Sequence, residues 1–261
     1  MRLKEKFTQL KKQNKKAFIA YIPFGYPSIG ATEGICLTLQ RAGVDVIEIG
    51  IPFSDPLADG PIIQKATTTS LSKGANMDNF FALAAKLKKK LKIPVVAMSY
   101  YNPIYKFGID KFLSKLKKEG FSATLVVDLP LEEASDYITK SEKFNLDTVF
   151  FATPTSSEDR IKKIVRYSKG FIYYISVTGI TGPKTLSYSD LSSHVKGIRR
   201  KASVPVCVGF GIHTREQVRR INAFSDGVIV GSEIVKFIDT NHKRKDFLKK
   251  LEAHVRSLCT K

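Results

Sequence analysis

Glu48 occupies the position in this sequence that most needs a chemical reason. It lies within Val46-Ile47-Glu48-Ile49-Gly50, an apolar run of the kind that forms a buried strand. Strand alternation over residues 44–49 puts Val44, Val46 and Glu48 on one face and Asp45, Ile47 and Ile49 on the other. A carboxylate turned into a closed interior must be paired, protonated or put to use, because burying an isolated charge is very costly. Proton transfer is one use, and a buried ion pair is the structural alternative. Two further carboxylates follow in Pro52-Phe53-Ser54-Asp55-Pro56-Leu57-Ala58-Asp59-Gly60-Pro61, a loop whose prolines and glycine restrict the backbone strongly. Asp55 or Asp59 could supply a second charged group, or either could simply cap a turn. Spacing does not choose between them.

A second chemistry is written in glycines. Thr178-Gly179-Ile180-Thr181-Gly182, Gly209-Phe210-Gly211 and Gly231-Ser232 each follow a β-type run. Glycine permits close backbone approach and positive φ, so successive N–H groups can converge on one anion. Ser232 is placed to cap a short helix starting near Glu233, which would offer a helix N-terminus to phosphate. Any one of these could be an ordinary tight turn, but three in consecutive units point to phosphate. Glu233 opposes that reading unless its side chain points away, since a carboxylate in the first turn repels an anion.

The elements that must position these residues alternate in one pattern. Short β-branched or aromatic runs at 17–22, 44–49, 95–99, 123–127, 148–152, 171–175, 205–208 and 228–230 predict eight strands. Several are almost continuously apolar, as in parallel strands covered on both faces. Amphipathic segments at 31–42, 77–91, 109–119, 131–144, 157–167, 188–201 and 214–224 predict the crossover helices. This is an α/β chain, a single (β/α)8 TIM barrel over residues 1–261. An N-terminal helix carrying Leu3, Phe7 and Leu10 covers the barrel bottom, and a further helix at 243–258 follows the last unit. Residues 51–76 form a long loop after the second strand, at the end where barrels build active sites.

The bulk properties fit one soluble core. Of the 261 residues, 43% are hydrophobic, and no apolar run reaches the roughly 20 residues that span a bilayer. The charged N-terminus, Met1-Arg2-Leu3-Lys4-Glu5-Lys6, has no apolar segment behind it and does not read as a secretory leader. Three widely spaced cysteines form no metal or redox pattern, and a cytoplasmic location is expected. The net charge of +19 raises the question of nucleic acid. The basic doublets and triplets are spread along the chain without interleaved aromatics, so they read as solvated helix faces rather than a nucleic-acid surface.

The stretch from Ile47 to Pro61 resembles the signature of the tryptophan synthase α family. The resemblance continues through Ser99-Tyr100-Tyr101-Asn102-Pro103-Ile104 and Val127-Asp128-Leu129-Pro130. It runs on through Tyr173-Tyr174-Ile175-Ser176-Val177-Thr178-Gly179-Ile180-Thr181-Gly182, Val208-Gly209-Phe210-Gly211-Ile212 and Gly231-Ser232. It implies a lyase that splits indole-3-glycerol phosphate into indole and glyceraldehyde 3-phosphate. Glu48 would be the general acid/base and Asp59 the partner of the indole nitrogen. Thr181 would orient Asp59, while Tyr173 and Phe210 would line the substrate. Gly182, Gly211, Gly231 and Ser232 would bind phosphate. The resemblance also implies an αββα complex in which indole passes to a β subunit bearing pyridoxal phosphate, with no cofactor in this subunit. Pro52, Asp55 and the loop around Asn102 and Phe107 would face that partner. One departure is Phe24-Gly25-Tyr26-Pro27, where the family commonly has a small residue, glycine, aspartate and proline.

Other readings fit the residues less well. A Schiff-base aldolase needs a lysine pointing inward from a strand, and none of the predicted strands contains one. His194, His213, His242 and His254 are scattered and do not form a metal-binding pattern. Another phosphate-binding barrel would share the late glycines but not the loop from Asp55 to Pro61. A non-catalytic α-like subunit that only activates a β partner would have no need of Glu48 and Asp59.

Overall fold

The computed structural model describes residues 1–176, 187–209 and 211–259. Eight parallel strands close into a barrel in sequence order, with the last paired to the first. They are β1 (Ala17–Pro23), β2 (Val46–Gly50), β3 (Val95–Ser99), β4 (Ala123–Val126), β5 (Asp147–Ala152), β6 (Ile172–Ile175), β7 (Val206–Gly209) and β8 (Gly227–Val230). Parallel pairing obliges each connection to cross back over the sheet, and amphipathic helices do so here. Helix α2 (Ile29–Ala42) shows how the sequence sets such an element. The Ser28 side chain accepts the Ala31 N–H at its start, and Gly43 ends it in the left-handed region at φ 98°.

The barrel interior is layered. Ile19, Val46, Val96, Leu125, Val149, Phe171, Cys207 and Ile229 fill the lower part, and helix α1 (Leu3–Lys12) seals it from beneath with Leu3, Phe7 and Leu10. Ile47 and Ile49 face the helical shell, so Val46 and Glu48 point inward as alternation requires. With the bottom filled, cavity space is left at the strands' C-terminal ends. Among the described residues no helix is long and apolar enough to cross a membrane.

The structure departs from the sequence reading in five places. Strand β2 starts at Val46 rather than 44, because the Asp45 carboxylate turns to accept the Phe18 N–H at 3.1 Å and meets Lys6 at 3.5 Å. The presumed loop 51–76 contains a helix, α3 (Pro61–Ser72). Its buried positions, Ile63, Ala66, Thr67 and Ser70, are mostly small or polar and give no apolar stripe. Between α4 (Met77–Lys90) and α6 (Ile109–Lys118), the presumed loop around Asn102 and Phe107 is a short helix, α5 (Tyr101–Phe107). The segment 131–144 divides into a 3-10 turn, Leu131–Glu133, and α7 (Ser135–Lys143). After α8 (Glu158–Tyr167), α9 (Tyr188–Lys201) and α10 (Arg215–Asn222), the chain ends in two helices, α11 (Ser232–Asn241) and α12 (Phe247–Leu258), the second starting later than 243.

Candidate active site

A cavity of about 400 Å³ opens at the C-terminal ends of the strands, where Glu48, Asp59, Tyr173, Gly211, Gly231 and Ser232 all reach its wall. Glu48 is 1% exposed, and its Oε1 has no hydrogen-bond partner. Burial, and then the nearby Asp59 charge, push its pKa up to about 8. A structural ion pair would do the opposite, because an adjacent cation stabilises the charged form. Among the described residues no cation acts on Glu48, and its raised pKa favours the protonated carboxyl at neutral pH.

Two tyrosines enclose this acid. Tyr21 stands opposite Glu48 in the β1–β2 register, and Tyr173 lies across the barrel on β6 against Phe151, with ring centroids 5.0 Å apart. Each ring needs a glycine beside it. A Cβ at Gly209 would lie 2.5 Å from the Tyr173 hydroxyl, and a Cβ at Gly50 would collide with the Tyr21 hydroxyl. The requirement for glycine at the ends of β2 and β7 is therefore steric. Burial holds both phenols well above their ordinary pKa, so they remain neutral donors. Tyr21 was not singled out from the sequence. Its inward register with Glu48 was the available signal.

The structure separates the two loop carboxylates. Asp59 lines the cavity, while Asp55 is exposed and accepts a hydrogen bond from its neighbour Ser54 at 2.5 Å. Burial raises the Asp59 pKa to about 6, opposed by a hydrogen bond that Tyr100 donates to its Oδ2 at 3.2 Å. The Tyr100 hydroxyl also accepts the Ala58 N–H at 3.1 Å, and its ring lies 5.3 Å from that of Phe53. Gln64 on α3 donates to the Asp59 carbonyl at 2.9 Å. Tyr100 and Gln64 thus hold the loop from both sides, although sequence reasoning assigned neither a role. Tyr100 follows the end of β3, the kind of position where barrels place functional groups.

Another part of the same cavity wall is suited to an anion. Gly211 has φ +71°, and Gly231 and Ser232 border the same cavity. Ser232 is not the cap of α11: it is the first helical residue, Gly231 is the N-cap, and no side chain caps the helix. First-turn N–H groups without a side-chain partner form an anion site by themselves. Glu233 turns aside from this site toward His213 and His254. Thr181, Gly182 and Phe210 lie outside the described residues. Of the presumed partner-facing residues, Asp55 and Asn102 are exposed and Pro52 is half-buried. Phe107 is half-buried and stacks on Phe81 at 5.5 Å.

A parallel (β/α)8 barrel whose cavity at the strands' C-terminal ends joins a buried and a half-buried carboxyl to an uncapped helix N-terminus has the build of a barrel enzyme. None of the eight described strands carries a lysine, as the sequence reading expected. The chain belongs to the tryptophan synthase alpha chain family, whose family model matches residues 7–260. It is 39% identical over 257 residues to the tryptophan synthase alpha chain of Citrifermentans bemidjiense, covering 98% of this chain and 96% of that one. The corresponding chain of Dehalococcoides mccartyi is 44% identical over 246 residues, covering 94% and 95%. The crystal structure of the tryptophan synthase subunit alpha from Legionella pneumophila strain Paris superposes with a TM-score of 0.92 at 32% identity, covering 98% and 96% of the two chains. Family membership makes the chain a lyase of tryptophan biosynthesis in general terms.

Proposed function

We propose that this chain cleaves indole-3-glycerol phosphate to indole and glyceraldehyde 3-phosphate, with Glu48 as the proton carrier. The observation that carries the proposal is that one cavity is lined by both carboxyls, with Glu48 fully buried and its pKa raised further than that of the half-buried Asp59, so Glu48 is the group that holds a proton. Glu48 first gives its proton to indole C3, producing a cationic indolenine. The Asp59 carboxylate faces the ring N–H and stabilises that positive charge where it develops. The glycerol hydroxyl on the carbon bonded to C3 then returns a proton to the Glu48 carboxylate. As it does so the carbon–carbon bond breaks, its electron pair re-forms the indole, and the carbinol carbon becomes the aldehyde. Gly211, Gly231, Ser232 and the start of α11 hold the phosphate away from the breaking bond and so fix the orientation of the substrate. Tyr173 packs against the bound ring, and Tyr100 keeps Asp59 ionised and aimed. Thr181, Gly182 and Phe210 complete the site in this reading.

The partner is proposed to be a β subunit bearing pyridoxal phosphate, in an αββα complex that receives the indole. Pro52, Asp55, Asn102 and Phe107 mark the docking face. Leu57, 83% exposed, and Tyr105, 67% exposed, lie on the same two segments and supply the apolar surface such contact needs. The test is release of indole and glyceraldehyde 3-phosphate in equal amounts from indole-3-glycerol phosphate, with and without a β subunit. Equal release, accelerated by the β subunit, is expected. Absence of indole in both conditions would overturn the proposal.

A further inference from the structure

Glu233 puts a negative charge in the first turn of α11, the helix whose N-terminus borders the anion surface. A carboxylate there competes with a phosphate for the same N–H groups and the same end of the helix dipole. The structure draws it away. Glu233 Oε2 lies 3.5 Å from Nδ1 of His213 in the β7–α10 connection, and Oε1 lies 3.2 Å from Nε2 of His254 on α12. The three side chains are 20%, 48% and 23% exposed respectively, so the contacts are only partly screened by water.

Each histidine is fixed independently. The backbone N–H of His213 donates to Gln217 Oε1 at 2.8 Å, which fixes the main chain there, and Gln217 with Thr214 forms the capping box of α10. The His254 ring lies flat on Phe237, with centroids 4.3 Å apart and planes 13° apart, and Phe237 is one turn along α11 from Glu233. His254 Nε2 is buried and makes no directed hydrogen bond, which leaves the Glu233 carboxylate as its polar neighbour at ion-pairing distance. The chain positions matter as well. His213 is two residues beyond Gly211, and Glu233 follows Ser232 directly, so the contact between them joins the two halves of the anion surface.

We propose that His213, Glu233 and His254 form a positioning clasp that keeps the carboxylate off the phosphate and sets the spacing between the β7 turn and the start of α11. The clasp deepens the phosphate-site reading given above and rests on it. None of the three residues touches the reacting atoms. All act through the glycine turns and the helix end.

The test compares the unaltered protein with the double variant His213→Asn/His254→Gln and with a triple variant that adds Glu233→Gln. Glycerol 3-phosphate binding is read by calorimetry, and KM and kcat by indole release with saturating β subunit. Without the histidines the freed carboxylate should weaken glycerol 3-phosphate binding about tenfold, the scale of a charge in the first turn of a helix. KM should rise by a larger factor than kcat falls. Removing the carboxylate in the triple variant should restore most of the affinity, a rescue that a merely structural role would not give. His213→Asn alone, on an exposed connection, should show a smaller loss in the same direction and keeps the test available if the double variant folds poorly. Unchanged affinity in these variants, or a loss that Glu233→Gln does not rescue, would overturn the clasp alone. Failure of the unaltered protein to bind glycerol 3-phosphate would overturn the phosphate site and the clasp with it.

Discussion

Replacing Glu48 with glutamine should stabilise the protein, and increasingly so as pH rises. In the unfolded chain this carboxyl titrates near 4.5, whereas in the fold it holds its proton to about 8. The folded state therefore binds a proton that the unfolded state releases. The stability associated with Glu48 is complete below about pH 4.5 and falls as pH rises, until the folded carboxyl has itself ionised above about 8. At about 1.4 kcal/mol per pH unit of difference, the wild-type penalty is about 3 kcal/mol at pH 7 and about 5 kcal/mol above pH 9. Glutamine is nearly isosteric, cannot ionise, and escapes the penalty. Denaturant unfolding of both proteins at pH 4.5, 7 and 9 should show curves that nearly coincide at the lowest pH and separate progressively above it. A pH-independent gap would refute the reasoning, because it would mean that Glu48 titrates alike in both states. A glutamine variant less stable than wild type at pH 9 would reveal a cation partner instead.

Three further outcomes follow from the same geometry. Asp59→Asn keeps the shape of the side chain but not its charge, and should lower indole release by about 10²-fold while glycerol 3-phosphate affinity is largely retained. Unchanged turnover would remove Asp59 from the mechanism. The kcat/KM profile should be bell-shaped, with apparent limbs near pH 6 and pH 8 belonging to the carboxyl pair, and Tyr100→Phe should move the acid limb upward by removing the hydrogen bond that favours ionised Asp59. A flat profile, or an acid limb that stays in place in Tyr100→Phe, would contradict this assignment. Binding to random duplex DNA should be weak and lost at moderate salt, as expected if the +19 charge is spread over helix faces, and sub-micromolar sequence-selective binding at physiological salt would show otherwise.

The barrel was legible because its strands are short, apolar and separated by strongly periodic helices. The structure reproduces all eight, with ends shifted by one or two residues. Glu48 was legible for the same reason: period-two alternation is enough to put it inside. What the sequence hid depends on long-range contact. Helix α3 buries threonine and serine where a stripe of leucines would have announced it, and Pro61 at its first turn was the remaining cue. Spacing alone did not separate Asp55 from Asp59; the resemblance picked Asp59, and the contact that holds it, from Tyr100 at the end of β3, appears only in the fold. Glu233 was recognised from the sequence as misplaced beside a phosphate. Its two histidines, 20 and 21 positions away in the chain, could be joined to it only by the fold.

The most direct test of the central claim is single-turnover indole release by Glu48→Gln with saturating β subunit, beside its affinity for glycerol 3-phosphate. If Glu48 carries the proton to C3 and back from the hydroxyl, the variant should be folded, should bind glycerol 3-phosphate as the wild type does, and should release indole at least about 10²-fold more slowly. Indole release at the wild-type rate from a folded, ligand-binding Glu48→Gln protein would contradict the account.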